Sequence, residues 1–259
     1  MRLAPTTLTL LLLLTAAPCA TWSQAVFPFD NGGETGYLKW GDKRPGTPGG
    51  TVTWSLIPAG TAGSPFCGTA CSGVSQAALQ VETAPGAGFE AQTLAQLRPL
   101  IVAALDTWAA LSGIEFVEVT DAGLPINDAG AEPDATGHIR IGLFNFATGG
   151  GGVGYAPPPN GGTGAGDVLL DAGSFYQIAA AAEGVAFDRT FAPNDLPGLL
   201  LHELGHAIGL AHPAADGSCP VMQIAEPCPG IVNRAPDASD INSVLFLYQR
   251  LFADSFEVP

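Results

Sequence analysis

The sequence predicts a single α+β domain, and three features carry that prediction. Short stretches at 51–57, 114–120, 138–144, 153–156 and 166–171 have strand character, whereas 94–111, the region around 199–209 and 237–248 have helical spacing. Apolar residues make up 47% of the 259, ample for one buried core. The 34 Gly and 22 Pro imply long irregular connections between these elements, and no internal repeat or second domain is apparent.

Along the chain, Arg2, the apolar run Leu8 to Ala17 and the small residues Ser23-Gln24-Ala25 read as a secretory signal over 1–25. The apolar run is too short for a membrane span, so the expectation is a secreted protein, extracellular or periplasmic, with no membrane insertion after cleavage. Residues 26–50 read as an N-terminal extension that hugs the surface or is removed. Thr51 to Ile57 alternates polar and apolar residues as a half-buried strand does, and 59–88 reads as a long loop. Leu94, Leu97, Ile101, Leu105, Trp108 and Leu111 form one helical stripe that Gly113 ends. Strands at 114–120 and 138–144 follow, separated by loop. His138, at a strand end, reads as a solvated side chain. The glycines 149–152 and prolines 157–159 bracket Val153-Gly154-Tyr155-Ala156, which marks either a sheet edge able to accept an extended peptide or a plain surface loop. After the strand at 166–171, residues 172–192 connect to a helix capped by Asn194 or Asp195 with Pro197 in its first turn. A last helix starts at Asp237-Ala238-Ser239-Asp240 and runs to about Tyr248, and 250–259 is an unassigned tail.

The chemistry sits in His202-Glu203-Leu204-Gly205-His206-Ala207-Ile208-Gly209-Leu210-Ala211-His212, which reads HExxHxxGxxH. On a helix His202 and His206 share one face, so both imidazoles can reach one metal ion. Glu203 is rotated off that face, as suits a carboxylate acting on water rather than on the metal. Gly209 permits the turn that brings His212 back as a third ligand, leaving a fourth position open. Three of the four histidines lie in this motif, which chance placement would not produce.

Charged residues are only 13% of the chain, yet the formal charge is −15, which argues against nucleic acid or an anionic membrane as partner. With Cys19 in the signal, Cys67, Cys71, Cys219 and Cys228 remain. Three pairings are possible; sequence proximity favours Cys67 with Cys71 and Cys219 with Cys228, and four free thiols holding a second metal are the alternative.

HELGHAIGLAH followed ten residues later by Met222 resembles the metzincin clan of zinc endopeptidases. From about Tyr37 to Gln249 the order TVTWSLI, IVAALDTWAAL with IEFVEV, HIRIGLF, GYAPPP with GDVLLD, the histidine helix and DASDINSVLFLY is similar to a matrixin of bacterial type. The resemblance implies a metzincin-type zincin fold over 51–249. In it a twisted mixed sheet with two long helices stands above a small C-terminal lobe with a methionine turn and the final helix, and the substrate cleft lies between.

It also implies one catalytic zinc on His202, His206 and His212, Glu203 as general base, Met222 as the turn methionine, Asp240 as its tether, and a peptide or protein substrate paired with Val153, Gly154 and Tyr155. The side chain after the scissile bond would enter a pocket near Met222 to Val232. A monomer is expected. Tyr155 and Leu169 stand where related enzymes place histidines for a second zinc, and His138 where they place an aspartate, so no second zinc is expected. Asp171 matches a structural-calcium ligand, but Ser174 replaces its acidic partner, so a Ca2+ site lacks half of its acidic pair. Pro213 is reminiscent of serralysins, yet Ile224 stands where those enzymes have a ligating tyrosine. The rival reading is a zinc-binding surface protein of the same fold without turnover; an intact Glu203 speaks against it.

Overall fold

The computed structural model describes residues 24–84, 86–128, 136–178, 194–223 and 233–249. Most of the expected signal, the tail, and nearly all of the expected pocket from 224 to Val232 lie outside these residues. The strands are β1 (Pro28–Asn31), β2 (Glu34–Tyr37), β3 (Thr51–Leu56), β4 (Leu79–Glu82), β5 (Glu90–Gln92), β6 (Glu115–Glu118), β7 (Ile139–Phe144), β8 (Gly152–Gly154), β9 (Val168–Asp171), β10 (Phe175–Gln177) and β11 (Asn194–Asp195). The helices are α1 (Leu94–Ser112), α2 (Leu196–Ala207) and α3 (Ala238–Tyr248).

A five-stranded mixed sheet in the order β6-β3-β7-β9-β8 organises the molecule, with β8 antiparallel at one edge and the other pairings parallel. Every residue of the central strand β7 is buried, because both faces of the sheet are covered. On one face Ile139, Ile141, Leu143, Val168 and Leu170 pack with Leu97, Ile101, Trp108, Leu200, Leu204 and Val244 from the three helices. On the other, Phe144 and Leu169 meet Ile57, Ile126 and the Cys67–Cys71 disulfide. Cys219 is disulfide-bonded as well; Cys228 lies outside the described residues. Across the second face Arg140 and Asp121 form a buried ion pair at 2.8 Å, and the guanidinium also donates to Leu124 O, fixing the loop after β6.

Each helix begins and ends where its local chemistry dictates. Thr93 and Gln96 form a reciprocal capping box at the start of α1, and Gly113, with φ of 69°, ends it in the left-handed conformation. Its buried residues include Leu94, Leu97, Ile101, Leu105 and Trp108, five of the six in the expected stripe, with Leu111 partly buried. Asp195 caps α2 by accepting from Gly198 N, and Asp237 with Asp240 forms the capping box of α3.

Four expectations are corrected. The supposed loop 59–88 contains a 3-10 turn at Pro65–Cys67 and strand β4. With β5, β10 and β11, β4 builds a second sheet in the order β11-β10-β4-β5, so 172–192 is not merely a connection. Residues 26–50 are not confined to the surface: β1 and β2 form a hairpin, and Lys39 and Trp40 are buried. His138 is half-buried, not a freely solvated side chain; its ring packs on Trp40 and its Nδ1 accepts from Thr53 N at 3.0 Å.

Candidate active site

The site is built on α2, whose leucines Leu200, Leu201 and Leu204 hold the helix against α1 and the sheet. Trp108 of α1 donates its indole N–H to Leu201 O at 2.9 Å, locking the two helices together. His202 and His206 are one turn apart and buried, and His212 returns from the solvent side, exposed. The ligand atoms of the three lie within 4.8 Å of one another.

The outer nitrogens decide the tautomers. His202 Nδ1 contacts Val221 O and His206 Nδ1 contacts Leu210 O, both at 2.7 Å. A carbonyl oxygen can only accept, so each Nδ1 carries the proton and each Nε2 presents a bare lone pair. Those lone pairs converge: His212 Nε2 stands 3.1 Å from His202 Nε2 and 2.9 Å from His206 Nε2. Burial depresses the pKa of His202 to about 4 and of His206 to about 3, so both rings are neutral at pH 7. The two buried lone pairs thus meet at the third imidazole nitrogen, where either the His212 Nε2 proton or a cation can bridge them. The spacing is near the ~3.3 Å edge of a tetrahedron with ~2.05 Å metal–nitrogen bonds, and the donor set therefore fits zinc.

Glu203 is buried beside the motif histidines, on the side facing β8. Gly152 and Gly154 let that strand pass against it: a Cβ on Gly152 would stand 3.0 Å from Glu203 Cγ, and one on Gly154 would collide with Glu203 O and lie 2.9 Å from His206 Cβ. Burial pushes the Glu203 carboxyl up to about 8, while the Gly154 amide that bonds to it pulls the other way. A cation at the histidine nitrogens would also favour the carboxylate form. Tyr155 N donates to Asp167 O and Asp171 N donates to Gly151 O, so residues 151, 153 and 155 face β9. By alternation, the main-chain groups of Gly152 and Gly154 face outward.

Beneath the histidines, Met222 lies buried against Gly205 and Trp108. The Asp240 carboxylate accepts from Val221 N at 2.8 Å, Met222 N at 3.2 Å and Asp237 N at 3.0 Å. Val221 O in turn accepts from His202, so one carboxylate on α3 reaches a motif histidine through a single peptide unit.

Other singled-out positions lie elsewhere. Tyr155 stacks near Phe66 at 5.1 Å and Leu169 is in the outer apolar cluster, so neither converges with His138. Asp171 accepts from Phe146 N and Gly173 N at 3.0 Å and from Ser174 Oγ at 2.7 Å; the serine that replaces the acidic residue bonds to it directly. The sequence reading missed Trp40 and Tyr248, which bond to the carbonyls at the end of α2. A tryptophan within a Gly- and Lys-rich stretch was the available signal, since a buried indole N–H requires an acceptor.

A mixed sheet backed by helices, with three imidazoles and a buried glutamate at its edge strand, defines a metallohydrolase. The sequence model of the matrixin family matches residues 90–249. The chain belongs to the matrixin family of the metzincin zinc metalloproteases, whose substrates are peptides or proteins, and its α+β architecture is that of the family. A search of curated proteins finds no match to it.

Proposed function

We propose that this chain is a secreted zinc endopeptidase in which His202, His206 and His212 hold the metal and Glu203 is the general base. The observation that carries the reading is the convergence of three imidazole nitrogens, two of them held proton-free by their outer hydrogen bonds, beside a buried glutamate that lines an open sheet edge. Zinc bound there supplies Lewis acidity toward water and toward the scissile carbonyl oxygen. Glu203 takes the proton of the attacking water and delivers it to the leaving nitrogen. An extended peptide adds to β8 as a sixth strand, its backbone bonding to the outward groups of Gly152 and to the carbonyl of Gly154, with Val153 and Tyr155 setting the register. Met222 floors the site, and Asp240 holds the turn that orients His202. The catalytic unit spans 51–249, preceded by the extension 26–50 and a cleaved signal, and works as a monomer.

The test compares the untreated protein, the chelated protein and Glu203→Gln on an unfolded protein substrate. Activity is expected to vanish on chelation, return with zinc, and drop by ~10^2 to 10^4-fold in Glu203→Gln. Cleavage that persists in both conditions would sink the assignment.

A further inference from the structure

We infer that Val26 to Trp40, together with Tyr248, is a clamp that positions the third metal ligand; the inference rests on the zinc reading above. A helix leaves its last carbonyls without partners. α2 ends at Ala207, between the second and third histidines, and its closing carbonyls are met by side chains from distant parts of the chain. Trp40 Nε1 donates to Ala207 O at 2.8 Å and Tyr248 Oη donates to Ile208 O at 2.6 Å, while Tyr248 Oη accepts from Trp40 N at 3.1 Å. Gly209 follows with φ of 104°, and Leu38 O stands where its Cβ would be. Val26 then pairs with Leu210 as an antiparallel bridge.

The clamp is itself anchored. Lys39 is buried, donates to the carbonyls of Trp40, Asp42 and Thr47, and lies 4.6 Å above the Tyr248 ring. Every backbone step from Ala207 to Leu210 is thus tied to the N-terminal segment, to α3 or to α2. His202 and His206 are placed by a rigid helix. His212 is exposed, and its place is set by the backbone that leads to it. Trp40 and Tyr248 are positioning residues: they touch no substrate, and they act through the turn. The segment from Val26 to Trp40 precedes the stretch that matches the family model.

The test uses the full chain with Trp40→Phe and Tyr248→Phe, which keep the rings and remove the donors. Ile126→Val, a cavity in the outer cluster away from the turn, controls for lost stability. In metal-free protein, amide exchange at Gly209 and Leu210 is expected to quicken ~10-fold in both donor variants, with α1 unaffected. The zinc Kd, read by competition with a chelator, is expected to rise ~10-fold in both and to stay unchanged in Ile126→Val. Wild-type exchange and wild-type Kd in both donor variants would overturn the clamp while leaving the zinc reading intact. A wild-type protein that takes up no zinc overturns the zinc reading and the ligand-positioning role with it, whereas faster exchange at the two amides would still support the clamp on the turn.

Discussion

At the scale of single residues, Asp240 has the most to lose. Its carboxylate serves three amide donors in a buried setting, and burial pushes its pKa up to about 6 against the pull of those amides. Asp240→Ala leaves Val221 N, Met222 N and Asp237 N without their acceptor, at ~1 to 3 kcal/mol for each that stays dry. The expected result is a lower urea midpoint together with weaker zinc retention, because Val221 O orients His202; unchanged zinc affinity would show that the tether is dispensable to the site. Asp240→Asn, which keeps one acceptor oxygen, should fall between the two. The motif histidines and Glu203 were legible because their spacing is local and fits one helical turn. Trp40 and Tyr248 were not, because their partners at the end of α2 are 167 and 40 positions away, and nothing in a linear pattern encodes such a meeting.

Elements were legible in proportion to their length and periodicity. The 19-residue helix α1 declares itself through its stripe, its cap and Gly113, and β3 and β7 through apolar patterning. The second sheet was hidden because its strands have two to four residues and pair across long stretches of chain, Phe175 with Gln80 and Tyr176 with Asn194. Strands that short have no period to read, and their existence depends on tertiary pairing. The crossing of β8 over α2 shows the same dependence from the other side. Glycine at 154 is required there by a backbone carbonyl of α2, which cannot swing aside as a side-chain tip can. Gly154→Ala is therefore expected to push the edge strand off the helix, lowering kcat/KM by more than tenfold and stability by ~1 to 3 kcal/mol. Gly205→Ala presses on the side chain of Met222, with the Trp108 ring 3.2 Å away, and a methionine side chain yields where a helix carbonyl cannot, so a smaller loss is expected. Equal losses in peptide-cleavage assays and thermal melts of the two variants would contradict this ordering.

For the molecule as a whole, buried carboxyls rather than the surface charge of −15 should set how stability varies with pH. Asp167 is fully buried behind β7; one oxygen accepts from Arg140 N at 3.0 Å and the other has no partner. Burial raises its pKa to about 8, with the Arg140 amide and guanidinium opposing and Asp121 adding to the rise. In the metal-free protein Glu203 is raised to a similar value by burial. Both groups are ionised in the unfolded chain above pH ~5 but keep their protons in the folded state until pH approaches 8. Unfolding therefore releases protons in this window, and stability must fall as pH rises toward 8, by at most ~1.4 kcal/mol per pH unit for each group. Above pH 8 the sign reverses for Lys39, whose pKa burial lowers to about 8: there the unfolded chain binds the extra proton, and stability recovers. Below pH 6.5 the buried histidines His202 and His206 also have the opposite sign, so the clean interval is 6.5 to 8. Urea unfolding of the metal-free wild type across that interval should show a falling midpoint. Asp167→Asn, in which Oδ1 still accepts from Arg140 N, should be less stable at the low end, because its amide N–H groups replace an oxygen that had no partner. Its slope should be about half that of the wild type, since Glu203 alone then releases a proton. Identical slopes in the two proteins would mean that Asp167 is already ionised in the folded state, held by Arg140 despite its burial.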